Sequence, residues 1–498
     1  MDVIQNVIYG FGICLQPINL AYCFFGTLIG TLVGVLPGLG PAAAIALLLP
    51  STFHATPVSA TIMLAGIYYG AMYGGSTTSI LVNIPGEAAS VVTCMDGYQM
   101  ALRGRAGPAL GIAACGSFIA GTFGVIALTL IGPFLTGIAI KFGPPEYFSL
   151  MIVGIVMLTF LGSGSMVRSL MMAAVGLFLS GIGMDTMGGK YRFTHDIQIL
   201  LDGVGLVPMT MGLFGISEVL LNLEAKINRD IFATRIRNLL PTLKDWADSI
   251  KPIVRGTVLG FFLGILPGGG AVLASFSSYA IEKKLAKRPE EFGKGAIQGV
   301  AGPESANNAG AVGAFIPLLT LGIPANPVMA ILLGALVMHG LQPGPLLIHK
   351  APDLFWGTIV SMYIGNVMLL ILNLPLIGVW VRVLKIPYYF LYPLILLFCL
   401  IGSYSIGNSV GDMVVMLIFG ILGYLMKKFN YSAAPMVLAL VLGNEIEAAL
   451  RQSLMLSKGD FSIFVARPIS LGFLLVAAIL VILPVITQRK RVSALEGG

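Results

Sequence analysis

The first lysine or arginine of this chain is Arg103, and Asp2, Glu87 and Asp96 are the only acids that precede it. A water-soluble surface cannot be built from a stretch like that. The remainder continues in kind: 57% of the 498 residues are hydrophobic and 10% are charged, where soluble domains carry roughly 25% charge. A soluble enzyme is excluded on that ground. Apolar segments run near 18–35, 41–50, 57–73, 108–133, 146–163, 166–184 and 197–222, then near 304–321, 327–338, 354–381, 386–403, 409–426, 431–450 and 463–487. They are long and continuous, without the ~10-residue alternation of a barrel strand. The expectation is an all-α polytopic membrane protein with about 12 transmembrane segments of roughly 20 residues each.

Sixty-three glycines and 28 prolines point to several broken helices, which membranes tolerate where irregular backbone is buried or lines a cavity. The net charge of +7 reads as basic cytoplasmic loops, with no nucleic-acid partner. Cys14, Cys23, Cys94, Cys115 and Cys399 form no CxxC pair and read as small buried residues. The N-terminus lacks a basic n-region, so no signal peptide is expected.

Residues 1–16 place Ile4, Val7, Ile8, Phe11, Cys14 and Leu15 at helical spacing, which predicts an interfacial amphipathic helix closed by Pro17. Residues 17–222 form a first membrane repeat. A basic loop at 223–255 holds Lys226, Arg229, Arg235, Arg237, Lys244, Lys251 and Arg255, and a second at 282–294 holds Lys283, Lys284, Lys287, Arg288 and Lys294. The positive-inside rule places both in the cytoplasm. The 26 residues between them, 256–281, are too few for two crossings of roughly 20 residues each. They should enter and leave on one side as a re-entrant hairpin, with the tip at Leu266-Pro267-Gly268-Gly269-Gly270. Residues 256–498 make the second repeat plus C-terminal helices.

An internal repeat supports this division. Residues 26–40 align with 256–270 at an offset of 230, with eight of 15 positions identical. Ile84-Pro85 matches Ile323-Pro324, and Gly107-Pro108 matches Gly344-Pro345. The first hairpin has uncharged flanks and the second basic ones, which predicts opposite orientations: the inverted repeat of secondary transporters.

Four motifs carry the candidate chemistry. The paired Leu-Pro-Gly tips, through Gly38, Gly40, Gly268 and Gly270, expose helix amides that an anion can approach closely; the plainer alternative is a packing kink. The run Ser76-Thr77-Thr78-Ser79 offers hydroxyl donors and acceptors, followed by Asn83-Ile84-Pro85-Gly86-Glu87; the alternative is small-residue helix packing. Pro303-Glu304-Ser305-Ala306-Asn307-Asn308 places an acid and two amides before an apolar run. Glu304 reads either as a cation or proton site or as an interfacial cap. Thr320-Leu321-Gly322-Ile323-Pro324 predicts a further break. The substrate set is therefore Gly38, Gly40, Ser76, Thr77, Thr78, Gly268, Gly270, Ser305, Asn307 and Asn308, and the cation set Asn83, Glu304 and Thr320. Cys94–Arg105 reads as a polar loop whose arginines orient the chain, and Asp412, Glu445 and Glu447 read as helix-end caps. His54, His195, His339 and His349 do not cluster, so no metal cofactor is expected. Gly38-Leu39-Gly40 lacks the lysine of a phosphate-binding loop, which excludes an ATPase motor. Neutral oxygen ligands suit Na⁺ as coupling ion better than H⁺.

The segments Gly34–Pro41, Tyr69–Ser79, Asp96-Gly97-Tyr98, Gly104–Pro108 and Phe292–Gly295 running to Pro303–Ala309 together resemble the large membrane subunit of the tripartite tricarboxylate transporter family. The resemblance implies a bacterial inner-membrane carrier working with a small membrane subunit and a periplasmic substrate-binding protein that delivers an organic carboxylate. It implies drive by an ion gradient and an elevator-type plan. The residues themselves favour a secondary carrier over a channel or scaffold subunit without its own cycle, since paired broken helices suit a moving site. No nucleophile–base constellation supports an enzyme.

The hairpin reading has a direct test. Single cysteines at Leu240→Cys and Arg288→Cys should both react with an impermeant thiol reagent from the cytoplasmic side alone; labelling of position 288 from outside would make 256–281 a crossing.

Overall fold

The computed structural model describes every residue except 1–2, 37–38, 162–164, 186, 225–238, 385–387 and 497–498. The first half contains α1 (Val3–Cys14), α2 (Pro17–Val35), α3 (Pro41–Leu48), α4 (Pro57–Val82), α5 (Ala106–Ala139), α6 (Pro144–Leu161), α7 (Met166–Ser180) and α8 (Leu206–Glu224). The second contains α9 (Leu243–Ile265), α10 (Gly270–Leu285), α11 (Gln298–Gly313), α12 (Phe315–Leu321), α13 (Pro327–Met338), α14 (Pro352–Asn373), α15 (Tyr388–Gly407), α16 (Val410–Lys428), α17 (Ala434–Leu456) and α18 (Pro468–Glu496). The all-helical expectation holds except for a ribbon of two-residue strands, Gly183–Met184 against Tyr191–Arg192. Among the described residues five helices are long and apolar enough to cross a membrane (α2, α5, α8, α14 and α16), accompanied by shorter apolar helices. The protein is a polytopic helical membrane protein.

Lys226, Arg229, Arg235 and Arg237 lie outside the described residues, whereas Lys244, Lys251 and Arg255 already belong to α9. Thr242 and Asp245 start that helix with a capping box, which is why it begins well before the apolar run does.

Both tips lead into the same local architecture. The Gly26, Gly30 and Gly34 stripe of α2 lies on the backbone of α4 at Met63, Ile67 and Ala71. Gly256, Gly260 and Gly264 of α9 lie on α11 at Gly302, Ala306 and Gly310. The stripes differ by 230 and their partners by 239 (63 to 302, 67 to 306, 71 to 310), so the repeat seen in the sequence is also a repeat of contacts. A Cβ at any of these glycines would penetrate neighbouring backbone. Only hydrogen at those positions allows approach this close, the small-xxx-small packing of membrane helices.

The order of these contacts sets the chain direction. α2 and α4 run parallel, so the chain must return from the tip to its starting end between them. α9 and α11 do likewise. The second return is visible in a pair of charges: Arg255 on α9 and Glu282 on α10, equally far from the tip, are joined by two hydrogen bonds of 2.8 and 2.5 Å. Residues 256–281 are therefore a helical hairpin that folds back on itself. By contrast α4 and α11 run antiparallel: Ile80 and Val300 both pack at Gly97, Ser76 meets Glu304, and Tyr68 meets Phe315 at the start of α12, which follows α11 directly.

The repeat extends to the helix ends. α4 stops at Asn83 (φ 58°) and α12 at Gly322 (φ 72°), both left-handed and both followed by Ile-Pro, a sequence that cannot continue a helix. It then fades. Gly107 lies inside the first turn of α5, whereas Gly344 has φ 140° outside any helix, so those two glycines are not equivalents.

Gly30→Ala and Gly260→Ala should each destabilise the purified protein by about 2–3 kcal/mol, the overpacking range, because the obstacle is backbone. Gly137→Ala, where a Cβ meets nothing within 4 Å, should leave the melting temperature unchanged or raise it. Thermal melts followed by size-exclusion chromatography in detergent separate the two classes.

Candidate functional site

The antiparallel contact of α4 and α11 buries a hydrogen-bonded polar cluster. Glu304 is fully buried in the interior of α11, so the interfacial-cap alternative is corrected: it caps no helix. Its carboxylate accepts from Ser76 Oγ at 2.5 Å, from Thr93 Oγ1, and from Asn307 Nδ2 at 3.2 Å. Asn308 Nδ2 donates to Ser117 Oγ at 2.7 Å, to the Glu304 carbonyl at 3.0 Å and to Asn307 Oδ1 at 2.5 Å. A small cavity, about one water molecule in size, opens beside the cluster against Tyr73, Ser76, Thr77, Ser117 and Asn373. Ser76–Ser79 lie within the continuous 26-residue α4, and all four are buried.

Ser76, Asn307, Asn308 and Glu304 are thus brought into one hydrogen-bonded group, with Thr77 at its cavity. Thr78 turns the other way and donates to the Val35 carbonyl at 2.6 Å, anchoring the last turn of α2 beneath the first tip. Gly38 lies outside the described residues. Gly40 is the N-cap of α3, with open space where a Cβ would stand. Gly268 takes φ 82°, and its N–H is donated to the Ala325 carbonyl at 2.8 Å. It is therefore not a free anion donor in this conformation. The first-turn amides of α10, Gly270 (φ 55°) to Val272, precede the first bond at its N-terminus, which Leu273 donates to the Gly269 carbonyl at 3.4 Å. Ser305 and Thr320 return their hydroxyls to the carbonyls of Ala301 and Ile316. Asn83 is exposed at the end of α4, so it and Thr320 do not join the Glu304 cluster.

Several residues at the site were not singled out by sequence. Thr93 and Ser117 sit in segments whose pattern says only loop and apolar helix. Tyr68 receives a hydrogen bond from Asn326 Nδ2 at 3.1 Å, joining the two halves. Asn366 accepts from Tyr73 Oη at 2.6 Å and donates to the Phe118 carbonyl and Thr122, fixing α14 to α4 and α5. A lone Asn in an apolar helix was the available signal.

Asp96 was read as part of a polar loop, and the structure makes it a latch. It is fully buried in a π-helical turn, Cys94–Tyr98. Oδ1 accepts three backbone amides, from Gly293 at 2.9 Å and from Gly295 and Ala296 at 2.8 Å, and Oδ2 accepts from Tyr279 Oη at 2.9 Å. Arg105 pairs with Asp245 at the start of α9. These two contacts gather the Arg103–Arg105 turn, the start of α9 and the basic 286–295 loop at one end of the molecule.

Glu445 and Glu447 are interior residues of α17, which corrects their reading as end caps. Glu447 bridges Arg192 and Arg451, and Arg451 holds the Asp185 carboxyl down at about 2 by hydrogen bonding. Asp412 does lie in the first turn of its helix.

A family model described as "Tripartite tricarboxylate transporter TctA family" matches residues 20–438. The chain is 50% identical over 493 residues, 98% of each partner, to an "Uncharacterized 52.8 kDa protein in TAR-I ttuC' 3'region" of Agrobacterium vitis. It is 54% identical over 234 residues to an "Uncharacterized protein in TAR-II ttuC' 3'region" of the same organism, 97% of that protein and 46% of this one. No solved structure matches.

Removing the latch strands buried amides. Asp96→Ala should cost about 3 kcal/mol or more of stability, since a charge-assisted acceptor is lost and several donors are orphaned. Asp96→Asn, which keeps one acceptor oxygen, should recover part of that loss in a thermal melt.

Proposed function

Because the chain belongs to the tripartite tricarboxylate transporter TctA family, and so is the membrane subunit of a carboxylate transport system, we propose that it is itself the carrier. In this reading it imports small organic di- or tricarboxylates across the bacterial inner membrane, driven by a cation gradient. A periplasmic binding protein feeds it and a small membrane subunit accompanies it.

The observation that carries the proposal is the buried Glu304–Ser76–Thr93–Asn307 group at the crossing of α4 and α11. Among the described residues no Lys, Arg or His pairs with that acid. A carboxylate at membrane depth with only neutral partners calls for a counter-cation, and intramembrane acids of this kind mark ion pathways. Na⁺ suits the surrounding hydroxyl and amide oxygens. The substrate carboxylates would be received by helix-terminal amides at the tips and by the hydroxyls of α4. The antiparallel run of α4 against α11, each parallel to the hairpin arm that precedes it, supports an inverted repeat with two re-entrant hairpins entering from opposite sides. Alternating access would then move the polar crossing as a body relative to the remaining helices, the elevator plan.

Uptake by proteoliposomes holding the three components, screened over citrate, tartrate, succinate and aromatic acids, tests the reading. Uptake at fixed pH should require Na⁺. Ser76→Ala and Asn307→Ala should each lower it by the equivalent of roughly 1–3 kcal/mol, and Glu304→Gln should abolish it. Full uptake driven by a pH gradient in Na⁺-free medium overturns the choice of ion and leaves Glu304 as the proton carrier.

A further inference from the structure

One side chain of the central cavity has a buried oxygen that the cluster above does not use. Asn373, the last residue of α14, is 4% exposed and lines the cavity together with Ser76 and Thr77 of α4. Its Nδ2 donates to the Leu369 carbonyl of its own helix at 2.9 Å, while its Oδ1 is buried with no hydrogen-bond partner. Asn366 stands two turns earlier on the same face of α14. It accepts from Tyr73 and donates to the Phe118 carbonyl and Thr122. Asn366 thus fastens α14 to α4 and α5 by itself, and Asn373 is not needed for that task. A buried amide oxygen without a partner costs free energy, so its place at a polar cavity calls for an occupant.

The protons nearest the cavity are already committed. Ser76 gives its hydroxyl proton to Glu304, and Tyr73 gives its own to Asn366 Oδ1. Ser117 accepts from Asn308 Nδ2 and donates to the Glu304 carbonyl at 3.4 Å. A hydroxyl that has donated its proton keeps lone pairs. Together with Asn373 Oδ1 they make a lining richer in acceptors than in donors, which suits a cation and disfavours an anion. The rest of the wall is apolar and comes from α5. A polar cavity of this size does not stay dry, and a sodium ion needs no more room than a water molecule. The balancing charge is close, because Ser76 joins the cavity directly to the Glu304 carboxylate at 2.5 Å.

We propose that Asn373 Oδ1 and the Thr77 hydroxyl are ligands of the coupling cation, seated in this cavity with Ser76 between it and Glu304. The site deepens the carrier reading and rests on it. Amide and hydroxyl oxygens are hard donors of the type small cations select. The ion sits on neutral oxygens, one hydrogen bond away from the acid that balances it. Its shell also takes in α14, a helix beyond the point where the repeat fades. Asn366 meets α4 at Tyr73, and the ion would tie the same two helices one turn further along α4, at Thr77. Binding and release of the ion would then alter how firmly the polar crossing is held against α14.

The melting temperature of the purified chain is titrated with Na⁺ against choline at constant ionic strength and pH. The wild type should be stabilised, as a folded state is by any ligand it binds. Asn373→Leu keeps the bulk of the side chain and removes its oxygen; it should need roughly tenfold more Na⁺ for half the effect. Asn373→Asp restores an oxygen and should return the midpoint to the wild-type value or below it. A residue that only finishes α14 would lower the melting temperature at every Na⁺ concentration and leave the midpoint in place. Thr77→Val should need several-fold more Na⁺ and is the deciding variant if Asn373→Leu fails to fold. A wild type indifferent to Na⁺ means that the cavity holds water alone, and overturns the site whatever is transported. A wild type stabilised by Na⁺ with both variants titrating like it removes Asn373 and Thr77 from the ion's shell and overturns the site while sparing the Glu304 reading. Midpoints shifted as expected in a chain that moves no carboxylate in proteoliposomes uphold the site and sink the carrier reading.

Discussion

Close approach of two helix backbones is the contact on which the rest of this structure depends. It occurs twice, where the Gly26–Gly30–Gly34 stripe meets α4 and where the Gly256–Gly260–Gly264 stripe meets α11. In a bilayer, apolar side chains gain little by leaving lipid for protein, so helix association relies on packing and on hydrogen bonds between helices. Glycine stripes supply that packing. They also set register: each stripe fixes which turn of the hairpin arm lies beside which turn of the motif helix. The polar residues of α4 and α11 are thereby presented on the faces left over, which meet each other.

What those faces bring together is a set of polar groups with few alternatives. Ser76, Thr93, Asn307 and Asn308 satisfy Glu304 and one another, and Asn366 joins the supporting helices. A buried polar group that loses its partner has no bulk water to replace it, so a network like this has a narrow choice of arrangements. Asp96 applies the same physics at one end of the molecule, where glycines allow three backbone amides to converge on a single carboxylate oxygen. It ties the first half to the hairpin region of the second. Any rearrangement that separates those regions must either release this contact or move both together.

The two halves use one plan with different chemistry. The left-handed stops at Asn83 and Gly322, the Ile-Pro pairs that follow, and the caps at Glu87 and Asn326 occupy equivalent places. Yet the acid of the central cluster comes only from α11, and the hydroxyl run only from α4. Pseudo-symmetry of backbone with asymmetry of side chain lets one crossing combine a carboxylate with hydroxyl groups.

Much of this was legible in the sequence. Charge poverty excluded a soluble fold, and the repeat with its paired tips was visible as identical residues. The basic flanks of 256–281 implied a hairpin, and the return of α10 to Arg255 through Glu282 agrees with it. Glu304, Ser76, Asn307 and Asn308 stood out because polar side chains in apolar runs are costly unless paired. Their partners did not. Thr93 and Ser117 are ordinary residues in ordinary contexts, and nothing in a linear pattern tells which turn of α4 faces which turn of α11. Asp96 was taken for a loop residue because the amides that hold it lie nearly two hundred residues away. Local chemistry and periodicity are written along the chain, so the sequence by itself determined the helices, their breaks and the class of protein. Which hydroxyl meets which carboxylate depends on the direction and register of packed helices, and only the tertiary structure decided that.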